Sequence, residues 1–181
     1  MDFDMVTTKG GDRGESSLAD GERRVKDDPL FEAMGDVDEL SSFLGLVRVE
    51  SSLTRTIDMV HQIQEDLLRV GAEIAAPPHS KMRERIHSLV DEDIERLESW
   101  ESELLRTTEI KPVFILPGDS RASAYLDVAR AVARRSERGV VSCIRGIGRS
   151  DLAMVQRYLN RLSDLLFIMA RAESSGASAE E

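Results

Sequence analysis

Residues 114–138 read FILPGDSRASAYLDVARAVARRSER, and they decide the fold. Pro117-Gly118 forms a turn, Ser120 stands at an N-cap position, and the eighteen residues that follow contain no Gly or Pro. This predicts a helix. At 100° per residue, Ala122, Tyr125, Ala129, Val132, Ala133 and Val140 share an apolar arc. Arg130, Arg134 and Arg138 recur at i, i+4 and i+8 on the opposite arc, with Asp127 and Glu137 among them. Two readings fit such a face. One is a solvated surface laced with salt bridges; the other is an anion site in which stacked guanidinium groups meet a polyphosphate.

Outward from this helix the same period recurs. A second helix is expected from residue 28 or 29 to 49, with Val37, Leu40, Phe43, Leu44 and Val47 inward. Others are expected at 52–75, ended by Pro77-Pro78, at 91–106 and at 151–171. Five helices, four of them long, predict an all-α fold, an antiparallel four- or five-helix bundle. Leu165 and Ile168 widen the apolar stripe of the last helix, which suggests a second partner surface. The basic link 76–87 reads as mobile. Residues 1–172 form one domain on this reading, 1–29 irregular, and the acidic tail 173–181 is expected to be disordered.

Composition removes several classes of function. The 181 residues suffice for a core without disulfides, and the lone Cys143 excludes an intramolecular bridge. Aromatics are only 4%, so the core is aliphatic, and the net charge of −10 disfavours nucleic-acid binding. No signal peptide or membrane-length apolar run is visible, so the expected location is cytoplasmic. Paired Glu-x-x-His motifs of a di-iron bundle are missing, since Glu84 to His87 stands alone. No nucleophile–base motif is present. The glycine cluster around Lys9, Gly10, Gly11, Arg13 and Gly14 is able to aim backbone N–H groups at an anion, but it does not match the Walker A pattern.

Separated motifs occur in a fixed order: TKGGDRGESS at 8–17, KDDP at 26–29 with GDVDEL at 35–40, FILPG at 114–118 followed by VARAVARRSER at 128–138, and YLNRLSD at 158–164. Together, over residues 7–171, they resemble the propanediol-utilisation type of ATP:cob(I)alamin adenosyltransferase. The resemblance implies a homotrimer with ATP between subunits and transfer of the 5′-deoxyadenosyl group to cobalt(I), giving adenosylcobalamin and triphosphate with Mg²⁺ present. It implies a phosphate loop of Thr8, Lys9, Gly11, Asp12, Arg13, Gly14 and Ser16, with Lys26 as a further cation. Arg134, Glu137 and Arg138 would form the phosphate wall, and Asn160 would hold the nucleotide. Asp38 and Arg130 would pair between subunits, and Phe114 would close the lower face of the corrin. A cob(II)alamin reductase and an adenosylcobalamin-dependent mutase are the implied protein partners. The alternative is a non-catalytic carrier or regulator of ATP or adenosylcobalamin on the same fold. Gly10, Glu15, Asp119 and Asp127 depart from the family's usual residues, and Glu15 brings a negative charge near the phosphates.

Overall fold

The structure is a computed structural model that describes residue 7, residues 9–110 and residues 112–177. A small antiparallel hairpin, β1 (Glu15–Ser17) and β2 (Arg23–Val25), precedes five helices. These are α1 (Pro29–Glu50), α2 (Thr54–Ala75), α3 (Asp91–Leu105), α4 (Arg121–Gly146) and α5 (Ala153–Ala177). The short links 51–53 and 147–152 reverse the chain between α1 and α2 and between α4 and α5. Helix α1 packs on α2 and α4, α4 on α5, and α5 on α3.

Local chemistry sets the helix starts. The Asp28 carboxylate accepts from the Leu30 amide at 2.9 Å, with Pro29 in the first turn. Ser120 and Ser123 cap α4 reciprocally, each hydroxyl accepting from the other's amide at 3.1 and 2.9 Å. The expected stripes are buried: Val37, Leu40, Leu44 and Val47 of α1, and Ala129, Val132, Ala133 and Val140 of α4. Leu126 joins them, fully enclosed, and burying such a side chain is worth roughly 1.5–3 kcal/mol. Cys143 is buried and lies against the Pro29 carbonyl.

Four expectations need correction. The first 29 residues are not wholly irregular, since they contain the hairpin. The 76–87 link is pinned: buried Glu73 accepts from Arg83 at 2.8 Å and from the Leu89 amide at 2.7 Å. Arg149, also buried, donates to the carbonyls of Glu73, Ile74 and Ala76, satisfying the end of α2. The last helix does not stop at 171 but runs to Ala177, because Glu173 is buried and accepts from the Ser51 hydroxyl at 2.7 Å. Leu165 and Ile168 do not widen an open apolar surface, since both are buried within the chain.

A polar knot lies inside the bundle. Asp66, fully buried, accepts from Tyr158 at 2.8 Å, Arg96 at 2.6 Å and Arg69 at 3.2 Å, so its charge is compensated. Burial, followed by the neighbouring Asp66 carboxylate, pushes the Tyr158 hydroxyl well above its ordinary value. Tyr158 therefore acts as a donor and not as a base.

Candidate functional site

The glycine-rich stretch folds as a tight turn leading into β1. Lys9 has a left-handed φ of 54° and Gly14 a φ of 78°, a conformation that favours glycine. Backbone bonds from Asp12 to Lys9 and from Gly14 to Gly11 close the turn, and the Lys26 amide donates to the Gly14 carbonyl at 2.8 Å. The hairpin therefore returns Lys26 to the loop, with its ammonium over Gly11. Arg23 donates to the Gly10 carbonyl at 2.9 Å and pairs with Glu15 at 3.2 Å. The charge that Glu15 introduces is thus balanced on the hairpin. Arg13, Asp12 and Lys26 are exposed, and Ser16 is half-buried opposite Arg24. Thr8 lies outside the described residues.

The second group stands on α4 and α5. Two clefts flank the arginine row, of about 480 and 360 Å³. Arg130 borders both, Arg138 faces the larger with Phe43, Pro117 and Val128, and Arg134 faces the smaller with Ser163, Asp164 and Phe167. Asn160 is exposed on α5, and its amide donates to Glu137 across the helix pair at 3.4 Å. That bond brings together two residues 23 apart in sequence that the motifs had named separately.

Asp127 is not on a solvated face; it is buried and receives a hydrogen bond from Arg171. Arg171 is buried as well. Among the described residues, Lys9, Arg13, Lys26, Arg134 and Arg138 enter no ion pair, and neither do Arg48, Lys81, Arg85, Arg106 and Arg145. Arg135, next to Arg134, is spent differently, on Asp36 at 2.8 Å and on Glu39, tying α4 to α1.

Phe114 stands apart from both groups on the loop before α4, fully exposed, with Val113 and Leu116 also open. Gly118, at φ 114°, takes the left-handed conformation that turns this loop into Ser120. Asp38 is exposed on α1, and Arg130 within the chain faces Asp127 at 3.6 Å. Among the described residues no group of three His, Cys, Asp or Glu could hold a metal ion, and no helix is long and apolar enough to cross a membrane. The motifs did not single out Asp66, Glu73 and Arg171, buried polar groups on helices, or Arg149, buried in the link between α4 and α5.

The fold is a five-helix bundle with a glycine-turn loop at its N-terminal end and an arginine-bearing helix face beside two clefts. The family model for cobalamin adenosyltransferases matches residues 6–173, and the chain belongs to that family. The corrinoid adenosyltransferase of Mycobacterium leprae is 35% identical over 94% of this chain and 92% of its own length. That of Citrobacter freundii is 37% identical over 94% and 95%. The bovine (Bos taurus) relative is 39% identical over 92% of this chain and 70% of its own length. Among solved structures, a Phe-to-Ala variant of the PduO-type ATP:corrinoid adenosyltransferase from Lactobacillus reuteri, complexed with cobalamin and ATP, superposes with a TM-score of 0.87. It is 28% identical, and the match covers 96% of this chain and 95% of that one. An Arg-to-Lys variant of the same enzyme, complexed with ATP, gives a TM-score of 0.84 at 30% identity, over 94% and 95%.

Proposed function

We infer that this chain is a corrinoid adenosyltransferase that moves the 5′-deoxyadenosyl group of ATP onto cob(I)alamin. The observation that supports the reading beyond family membership is the exposure of Arg134 and Arg138 on one face of α4, each at the wall of a cleft that Arg130 shares. In the reaction the cobalt(I) electron pair forms a bond to C5′ of ATP, and the C5′–O bond breaks with its pair going to triphosphate. The nucleophile needs no base, so the protein's task is alignment and stabilisation of the departing charge. The absence of any nucleophile–base motif in the chain agrees with this division of labour.

Residue roles follow from chemistry and position. Lys9, Gly11, Asp12, Arg13, Gly14, Ser16 and Lys26 surround the triphosphate, with Thr8 the same by sequence. Arg134 and Arg138 receive phosphate charge, and Glu137 orients Asn160 toward the nucleotide through the bond at 3.4 Å. Mg²⁺ arrives with the triphosphate. Asp12 and Ser16 are the loop oxygens that would hold it, and it would neutralise part of the departing charge.

The loop and the arginine row belong to neighbouring subunits of a homotrimer in this reading, so the site is completed by assembly. Asp38 of one subunit meets Arg130 of the next and orders that junction. Phe114 packs under the corrin and displaces its axial base, leaving four-coordinate cobalt(II), which is easier to reduce. Its complete exposure in the single chain supports a partner of that kind. A reductase supplies cobalt(I), a mutase receives the product, and the setting is cytoplasmic. Adenosylcobalamin formation from ATP and reduced cobalamin under anaerobic conditions tests the reading. No protein-dependent formation overturns it.

A further inference from the structure

Asp127 lies on the inner side of the arginine helix and is only 7% exposed. A carboxylate so placed has to be neutralised by cations that stay with it. Two are present. Arg171 of α5, itself 5% exposed, donates from Nη2 to Oδ2. Arg130, one turn along α4, places Nε 3.6 Å from Oδ1. That Nε is enclosed and has no hydrogen-bond partner, so the carboxylate is the polar group it faces. The Arg171 guanidinium in turn rests on the ring of Phe167, 5.6 Å from its centroid.

These contacts form a chain across the site. Phe167 lines the smaller cleft beside Arg134, and Arg130 is the wall that both clefts share. We propose that Asp127, locked in place by Arg171, is a positioning residue that sets the direction of the Arg130 guanidinium between the two clefts. An arginine facing its carboxylate through Nε presents the rest of its planar fork in one direction, whereas a free one samples many rotamers. Asp127 holds the near end of Arg130 and leaves its Nη groups for an anion or a carboxylate across the cleft. Asp127 touches no substrate in this account; it acts through Arg130. The proposal rests on the reading of Arg130 as part of the adenosyl-transfer site.

The test compares Asp127→Asn, Arg130→Lys and their combination in the full chain, reading kcat, the KM for ATP and for corrinoid, and the unfolding midpoint. Asp127→Asn is expected to lower kcat/KM by up to about 100-fold, the cost of misplacing a site group by about 1 Å. Arg130→Lys is expected to matter less when Asp127→Asn is already present than in the wild type, because the two residues act as one unit. Asp127→Asn strands the buried charge of Arg171 and risks the fold, so a second variant removes both members: Asp127→Asn with Arg171→Met. That variant is expected to keep the wild-type unfolding midpoint and lose the same kcat/KM. Independent, multiplying effects, or wild-type kinetics in the paired variant, overturn the positioning role alone. A wild-type protein without turnover overturns the adenosyltransferase reading and this proposal with it.

Discussion

The ammonium of Lys26 occupies the space that a side chain on Gly11 would fill: a Cβ there would stand 2.8 Å from Nζ and 3.1 Å from Cε. The glycine is therefore required by the lysine. Because Nζ is the far end of a flexible chain, Gly11→Ala is expected to displace Lys26 without unfolding the loop. The KM for ATP should rise roughly three- to tenfold, about the effect of one weakened charged hydrogen bond. An unchanged KM with an unchanged unfolding midpoint would contradict the role of Lys26 at the phosphates.

Arg134 is exposed and enters no ion pair among the described residues, so its removal leaves the bundle intact. Arg134→Ala is expected to lower kcat by about 100- to 1,000-fold, the usual range for losing one preorganised donor to a developing charge. Circular dichroism and the unfolding midpoint should match the wild type. Steady-state rates near wild type would remove Arg134 from the phosphate wall.

Phe114 buries nothing within the chain, and Phe114→Ala should leave stability unchanged. Its effect is expected in the chemistry of the corrin. Turnover starting from cob(II)alamin with a reductant should fall far more than turnover from chemically prepared cob(I)alamin. Equal losses in the two assays would show that the ring does not act by displacing the axial base.

Glu101 of α3 gives a pH dependence with a definite sign. Burial pushes its carboxyl from the ordinary 4.5 up to about 7; Arg161 opposes the shift, and Asp164 and Glu98 reinforce it. One carboxyl oxygen, Oε1, has no hydrogen-bond partner. Between those two values the native chain binds more protons than the unfolded chain, so stability falls as pH rises. Glu101→Gln stays neutral and escapes that loss. At pH 8 the variant should unfold roughly 2–4 °C higher than the wild type, the shift expected for a small gain in a domain of this size. At pH 4 the two should unfold together, and a variant equally destabilised at both pH values would place the Glu101 effect in packing.

How much of this was legible beforehand depended on which residues carried the signal. The five helices were readable because Val37, Leu40, Leu44 and Val47, like Ala129, Val132 and Ala133, repeat at the helical period. The hairpin was not, since strands of three residues leave no period to read. Asp127, Arg171, Glu73 and Arg149 were misplaced or passed over for one reason. A helical wheel assigns charged residues to solvent, and only the fold shows that they neutralise one another or cap a helix end inside it. The site residues were named by motif order. Their geometry was not in the motifs: the Asn160–Glu137 bond and the balance of Glu15 by Arg23 are contacts between elements.

Assembly is the next consequence. In the proposed site the loop and the arginine row act on one ATP only when two subunits meet, so light scattering at micromolar concentration should return three chains' mass, about three times 20.2 kDa. Asp38→Arg should weaken that state or lower activity. A fully active monomer would refute the shared site.

The measurement closest to the central claim is product identification after a single anaerobic turnover of ATP with cob(I)alamin. Visible spectroscopy would follow adenosylcobalamin, and phosphorus NMR the cleaved polyphosphate. The account predicts one intact triphosphate for each adenosylcobalamin formed, with neither product appearing when protein or ATP is left out. Release of phosphate or pyrophosphate without adenosylcobalamin, or binding of ATP with no product, would contradict it.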